Sequence, residues 1–275
     1  MQDADKITEL TEALERERQA RIEAEHTTQA VKTSQYEFIT LVTHELRVPM
    51  TSIKGYTDLL IKGLMGPVNE AQINFLNVIR SNVERMSRMV SDLSDINKIA
   101  EERLKLSLAA IQLKPILEDI TQTYEDNIAQ KNLTLTIQLP ETLPNVCADR
   151  ARLAQILDNL ICNAIKYTPE GGCIVVSAKY ISEDGDYVDI TVRDNGIGIL
   201  AAEQNRVFEK FFRASDEETR QTPGNGLALH LSKILTEMQG GHIWFESQRG
   251  QGTTFHLRMP LDTDATALSM ETVDR

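Results

Sequence analysis

Apolar residues recur at three- and four-residue steps through two long stretches of this chain, and that spacing limits what it can fold into. In the first stretch, residues 38–60, Ile39, Val42, Leu46, Ile53 and Leu60 share one stripe, with Pro49 on it as well. In the second, Leu76, Ile79, Val83, Met86, Val90 and Leu93 carry a similar stripe on towards Ile99. Each reads as an amphipathic helix whose seam packs on other helices. Gly63, Gly66 and Pro67 end the first helix, and Asn69 is placed to cap the second. The pair makes a helical hairpin. One hairpin cannot bury both apolar faces, so two copies are expected to pair into a dimeric four-helix bundle.

On the first helix His44 falls far from the seam and should face solvent, with Glu45 directly after it. Pro49 has no N–H to give the carbonyl of Glu45, four residues back, so a kink is expected there. A helix that carries such a defect just after an exposed histidine suggests a site. A lone His-Glu pair is also what an ordinary helix surface shows.

Composition narrows the field. A chain of 275 residues has room for about two domains. Its 41% hydrophobic and 25% charged residues are those of a globular protein, and a net charge of -12 argues against nucleic-acid binding. No apolar run reaches the length of a membrane span and no signal peptide is visible, so the expectation is a cytoplasmic chain without membrane contact. Cys147, Cys162 and Cys173 lack any Cys-x-x-Cys pairing and read as reduced thiols, not as a metal or disulfide framework. His26, His230, His242 and His256 are scattered and read as structural or surface residues.

Residues 3–35 hold neither Gly nor Pro. Ile7, Leu10, Leu14, Ala24, Thr28 and Val31 fit a heptad seam that Glu17 and Arg21 interrupt, which describes a weak coiled coil. That seam meets the one beginning at Ile39 after a four-residue step. The junction either passes a twist into the His44 helix or is a passive dimerising stalk. Beyond residue 105 the pattern changes. A helix is predicted over 114–130, a strand over 133–139, and a helix over 150–165 capped by Asp149. Strands over 173–182 and 187–193 join around Asp184-Gly185. A polar loop over 206–225, a helix over 227–239 and strands over 242–247 and 253–259 follow, and residues 263–275 read as a disordered tail.

Four stretches of this second region carry chemistry. In residues 155–168, Asn159, Asn163 and Lys166 share one helix face. Neutral amide oxygens suit Mg²⁺ when a polyphosphate supplies the charge, and Lys166 could hold a phosphate oxygen, though the face could also be merely solvated. Asp194-Asn195-Gly196-Ile197-Gly198 ends a strand. Its carboxylate can accept from the exocyclic amine of adenine, and its glycines admit close backbone approach. Phe208-Glu209-Lys210-Phe211-Phe212-Arg213 sets apolar anchors between cations. Gly224-Asn225-Gly226-Leu227-Ala228-Leu229 enters a helix, where free N–H groups can bind phosphate.

In this order and spacing the stretches resemble the sensor histidine kinases of two-component signalling. Residues 38–56 are similar to the H-box, 155–168 to the N-box, 194–198 and 224–229 to the two glycine boxes, and 208–213 to the F-box. Gly250-Gln251-Gly252-Thr253 is similar to the closing Gly-x-Gly-Thr. The resemblance covers roughly residues 34–260. It implies an α+β protein: the dimeric four-helix bundle, then an ATP-binding α/β sandwich with a mixed, largely antiparallel sheet. The divisions expected are a coiled-coil linker (1–33), a dimerisation and histidine phosphotransfer domain (34–104), a catalytic ATP-binding domain (105–262) and the tail (263–275).

The resemblance also implies roles. His44 would take the γ-phosphoryl of ATP, and Glu45 would hold the other ring nitrogen and accept its proton. Asn163 would ligate Mg²⁺ with Asn159 in support. Lys166 and Arg213 would meet the phosphates, Lys210 would belong to the nucleotide site, Tyr167 would pack near the nucleotide, and Asp194 would read adenine with Thr253 nearby. Gly196, Gly198, Gly224, Gly226 and Leu227 would shape the backbone around it. Expected partners are a second copy, the receiver domain of a response regulator and an upstream sensory domain, in a parent that could be membrane-anchored. Three positions depart from the family: Pro223 and Ala228 stand where Gly is frequent, and Val48 stands where Thr or Asn is usual. The first two keep open a degenerate, scaffolding dimer. Val48 implies weak phosphatase activity towards the regulator.

Overall fold

The structure is a computed structural model and describes residues 18–19, 36–182, 185–216, 219, 222 and 224–261. The expected coiled-coil seam, the tail, Asp184 and Pro223 lie outside the described residues. The chain divides into two compact units, Met1–Leu104 and Lys105–Arg275.

In the first unit, helix α1 (36–61) runs on through Pro49 without interruption, and α2 (Glu70–Ala100) follows. Gly63, at φ 68°, lets the chain leave α1, and its N–H donates to the carbonyl of Leu60 at 3.0 Å. Asn69 and Gln72 then exchange side-chain and backbone hydrogen bonds at 2.9 and 2.8 Å, a complete capping box at the start of α2. The two helices touch through Met50, Val83 and Val90. Asn97 on α2 adds bonds to the Tyr36 carbonyl (3.0 Å) and the Thr40 hydroxyl (2.7 Å). The contact stripe on α1 is therefore Thr43, Met50 and Thr57, all buried, and not the seam read from the sequence. Leu46, Ile53 and Leu60 are left exposed at 39%, 44% and 36%. The apolar seam is displaced from the face that this hairpin uses for itself.

The second unit begins with β1 (Ala109–Ile111) and α3 (Leu113–Thr123), then α4 (Glu125–Gln130), β2 (Thr134–Gln138), β3 (Val146–Ala148) and α5 (Arg150–Tyr167). It continues with β4 (Cys173–Ile181), β5 (Tyr187–Asp194), a 3₁₀ turn at Gln204–Arg206, α6 (Ala228–Met238), β6 (His242–Gln248) and β7 (Gly252–Pro260). Five strands form one sheet in the order β2-β4-β5-β7-β6. Only β2 and β4 pair in parallel; the other three pairings are antiparallel. Alternation along the strands sends Ile174 and Val176, Val188, Ile190 and Val192, and Leu257 and Met259 inward. They meet Ile116 and Leu117 of α3, Leu153, Leu157, Leu160 and Ile161 of α5, and Leu231 and Leu235 of α6, all essentially fully buried. The result is a mixed, largely antiparallel α/β sandwich.

Two features differ from the sequence reading. The helix expected over 114–130 divides at Tyr124, whose backbone (φ -102°, ψ 8°) leaves the helical region. Its ring is buried and its hydroxyl bonds to Cys162 and Asp158 of α5, so a tertiary anchor overrides helical continuity. The second is a two-stranded antiparallel sheet of β1 and β3, three residues each and too short to register as an alternating pattern.

Candidate functional site

His44 sits on the exposed side of α1, with its side chain 70% accessible. Its Nδ1 lies 3.3 Å from Glu45 Oε1. Neighbouring residues on a helix do not normally face one another, so the pair holds only through the reach of the glutamate. With Nδ1 engaged by the carboxylate, Nε2 is the nitrogen left free to react.

The second unit contains a cavity built where α5, β5, β7 and the chain entering α6 converge. Helix α5 starts at Asp149, whose Oδ1 accepts from the Ala151 and Arg152 N–H groups at 3.0 and 3.1 Å. Burial alone would raise that carboxyl's pKa, but backbone donors from Ser107, Arg152 and Ala151 outweigh it and pull the pKa below the usual value. The opposite end of α5 delivers Asn163, Lys166 and Tyr167 to the cavity wall.

Strand β5 ends at Asp194, buried at the cavity's inner side. Its Oδ1 accepts from the Gly196 N–H (2.9 Å) and the Thr253 N–H (3.2 Å), and among the described residues no donor reaches Oδ2. Burial pushes its pKa up, only partly countered by those two N–H groups. Thr253 completes that corner: its hydroxyl shares a 2.9 Å bond with Ser247.

The loop after Asp194 needs its glycine at 198. Gly198 has φ 64°, and a Cβ there would collide with the Gln248 carbonyl. Gly226 is under the same restriction, at φ 69° with a would-be Cβ 2.5 Å from the Phe212 carbonyl. That close approach lets the Gly226 carbonyl accept the Phe211 N–H at 3.0 Å, tying the stretch before α6 to residues 208–213. Phe212, Arg213, Gly224 and Gly226 all line the cavity. The Arg213 guanidinium donates to the Thr219 and Thr222 carbonyls at 2.6 and 2.5 Å.

Four of the residues expected at the nucleotide site fall outside the cavity lining. Asn159 donates to the Ala228 carbonyl (3.3 Å) and the Ser232 hydroxyl (3.1 Å), so its amide joins α5 to α6. Leu227 is buried at the N-cap of α6, Lys210 is exposed, and Gly196 contributes its N–H to Asp194. The backbone at Gly196 is nonetheless tightly packed, since a Cβ there would lie 2.5 Å from the Tyr167 carbonyl.

Two family models match the chain. One, the His Kinase A (phospho-acceptor) domain, matches residues 34–102 and contains His44. The other, described as histidine kinase-, DNA gyrase B- and HSP90-like ATPase, matches residues 148–263 and contains the cavity. The chain belongs to the sensor histidine kinases. It is 34% identical over 224 residues to the sensor histidine kinase WalK of Bacillus subtilis, covering 82% of this chain and 36% of that protein. It is 33% identical to the circadian input-output histidine kinase CikA of Synechococcus elongatus, over 86% of this chain and 31% of the relative. The chain thus spans about a third of the length of these relatives. Among solved structures, full-length ShkA in complex with AMPPNP superposes with a TM-score of 0.61 at 27% identity, covering 82% of this chain and 46% of that one. The Acinetobacter baumannii histidine kinase AdeS shares the fold, with a TM-score of 0.56 at 24% identity over 80% of this chain and 98% of that one.

This histidine kinase chain also uses residues that the sequence did not single out. The Arg249 guanidinium donates to the Ile197 and Gly198 carbonyls (3.3 and 3.2 Å) and lies 3.7 Å from Asp216. Gln204 Nε2 donates to the Ile199 and Ser247 carbonyls at 3.1 and 2.9 Å. Arg249 holds the first glycine box from outside it, and Gln204 ties the residue just after the box to β6. Neither belongs to a local motif, and the carbonyls they hold are backbone atoms, which leave no trace in residue identity. Among the described residues no cluster of three or more His, Cys, Asp or Glu could hold a metal, and no helix is long and apolar enough to cross a membrane.

Proposed function

We propose that the chain is the output portion of a dimeric, ATP-dependent protein-histidine kinase that phosphorylates its own His44 and then passes the group to an aspartate of a response regulator. The observation that carries this reading is the pairing, in one chain, of an exposed His44 held by Glu45 with the ATPase-family cavity ending in Asp194. In the reaction, Nε2 of His44 attacks the γ-phosphorus, the bond from that phosphorus to the bridging β,γ oxygen breaks, and ADP leaves with that oxygen. The imidazole becomes positive as the N–P bond forms, and Glu45 accepts the proton from Nδ1. Phosphoryl transfer asks mainly for positioning and charge neutralisation.

The cavity residues fit a nucleotide. Asp194 Oδ2 can accept from the adenine amine, and Lys166 and Arg213 would neutralise phosphate. Mg²⁺ fits only in company with the nucleotide, because the donor offered is the neutral Asn163 amide and the phosphates must supply the charge. Bound there, the ion would neutralise charge on the phosphates. AMPPNP in the ShkA complex supports an ATP-type ligand. We assign residues 34–104 to dimerisation and phosphotransfer, 105–262 to nucleotide binding, 1–33 to a coiled-coil linker and 263–275 to a tail. The upstream sensory domain and any membrane anchor would belong to a longer parent.

The test is incubation with γ-labelled ATP and Mg²⁺, comparing the parent with His44→Gln. Acid-labile label on the parent and none on His44→Gln is expected. A labelled His44→Gln protein would sink the assignment. His44 lies off the apolar seam that carries Leu46, Ile53 and Leu60, and outside the cavity lining, so the variant should still dimerise and bind ATP.

A further inference from the structure

Lys131 follows α4, outside every stretch that resembles a kinase motif. Its ammonium donates to three backbone carbonyls, those of Ile165 (2.8 Å), Lys166 (3.0 Å) and Thr168 (3.0 Å). These carbonyls belong to the last turn of α5 and the residues just beyond it, where the helix leaves acceptors unpaired and its dipole is negative. One side chain with three N–H donors meets three such acceptors.

The surrounding bonds make this a clamp. The Gly171 N–H donates to the Lys131 carbonyl at 3.0 Å, the Asn132 amide to Glu170 at 2.8 Å, and the Thr134 N–H to the Gly172 carbonyl at 2.9 Å. Partial burial pulls the lysine's pKa below its ordinary value, as expected for an ammonium partly withdrawn from water.

What the clamp holds is the point where the cavity's two walls meet. Lys166 and Tyr167 line it from α5. The Tyr167 carbonyl, between two of the clamped carbonyls, accepts the Ile197 N–H at 3.1 Å, and Ile197 lines the opposite wall from the first glycine box. We infer that Lys131 is a positioning residue for the nucleotide site: it fixes the 165–168 turn, and through the Tyr167 carbonyl it fixes the glycine-box loop. This rests on the nucleotide-binding reading above. Lys131 touches no ligand and is not catalytic.

The experiment measures ADP affinity with Mg²⁺ by titration calorimetry at a temperature where each variant is fully folded. Lys131→Met should weaken binding about tenfold, the scale on which a fraction of an ångström of misplacement acts. Lys131→Arg, which keeps the charge and several donors, should recover part of it. Asp149→Ala, which uncaps the other end of α5, is the control: it should lower the melting temperature and leave affinity within about twofold. Hydrogen exchange at the Ile197 amide should quicken in Lys131→Met and not in Asp149→Ala.

Parent-like affinity in Lys131→Met, or equal weakening in Asp149→Ala, would overturn the inference and leave the nucleotide site standing. Where Lys131→Met does not fold, Lys131→Gln takes its place, and parent-like affinity there overturns the inference as well. A parent that binds no ADP would overturn the functional reading, and this inference with it.

Discussion

The two units bury their apolar residues in opposite ways. Among the described residues, every side chain less than 2% exposed lies in the second unit, where helices and sheet close over one another. Among the described residues the hairpin instead almost fully buries only Met50, Val83 and Val90 of its apolar side chains, while Phe38, Leu41, Ile53, Tyr56, Phe75 and Ile79 stay exposed. At about 25 cal/mol per Å² of apolar surface removed from water, so small a contact does little to order 31 residues of α2 alone. One unit carries its stability within itself. The other leaves its seam exposed, and a second copy would offer a matching seam.

The sharpest way to break that contrast is a charge in the seam. In a lone hairpin, Ile53→Asp replaces an exposed side chain and should change stability by under about 0.5 kcal/mol. In a bundle it places two carboxylates in an apolar interface, several kcal/mol unfavourable. We expect the parent to sediment as a dimer at micromolar concentration and Ile53→Asp as a monomer. An unchanged dimer mass would mean that this seam is not the interface. The counterpart in the second unit is Leu157→Ala, at a fully buried position. It should lower that unit's unfolding free energy by about 2–5 kcal/mol without any dependence on protein concentration. A concentration-dependent midpoint for the second unit would erase the contrast.

The same contrast explains what could be read from the sequence. Alternation and capping chemistry place β4, β5, β6, β7, α5 and α6 to within a residue or two, because a closed core imposes its period on each element. The hairpin's helices were equally legible. Which stripe each helix turns towards its own partner was not, because Thr43 and Thr57 are polar by identity and buried only by tertiary packing. Asn159 shows the limit within the site. It shares a helix face with Asn163 and Lys166, but the near end of that face meets α6 and only the far end meets the cavity. Lys131 was illegible altogether, since its partners are carbonyls 34 to 37 residues away.

A smaller effect is expected at Val48, one turn after His44 and 60% exposed. In the family that this chain resembles, Thr or Asn at this position helps place a water for removing phosphate from the regulator. Valine has nearly the shape of threonine but no hydroxyl. Val48→Thr should leave dimerisation and self-phosphorylation unchanged and raise dephosphorylation of the phosphorylated regulator by on the order of tenfold. The assay follows regulator phosphate with ADP present. Brisk phosphatase activity in the parent, unaltered by the substitution, would show that the position is not limiting.

The smallest expected change separates stability from recognition at Asp194. Burial raises its pKa in the folded state above the value in the unfolded chain. Protons therefore bind the native form more tightly, and the ionised group opposes folding at neutral pH. That penalty is fully present above the folded pKa and disappears as pH falls below the ordinary carboxylate range. Asparagine can keep the Oδ1 bonds to the Gly196 and Thr253 N–H groups without the charge. Asp194→Asn should therefore raise the second unit's melting temperature modestly at pH 7, with the gain shrinking as the solution is acidified. The same swap turns Nδ2 towards the cavity in place of Oδ2. A donor there opposes the adenine amine and suits the guanine carbonyl, so preference for ATP over GTP should fall. A more stable variant with undiminished ATP preference would keep Asp194 as a buried structural acid and remove it from adenine recognition.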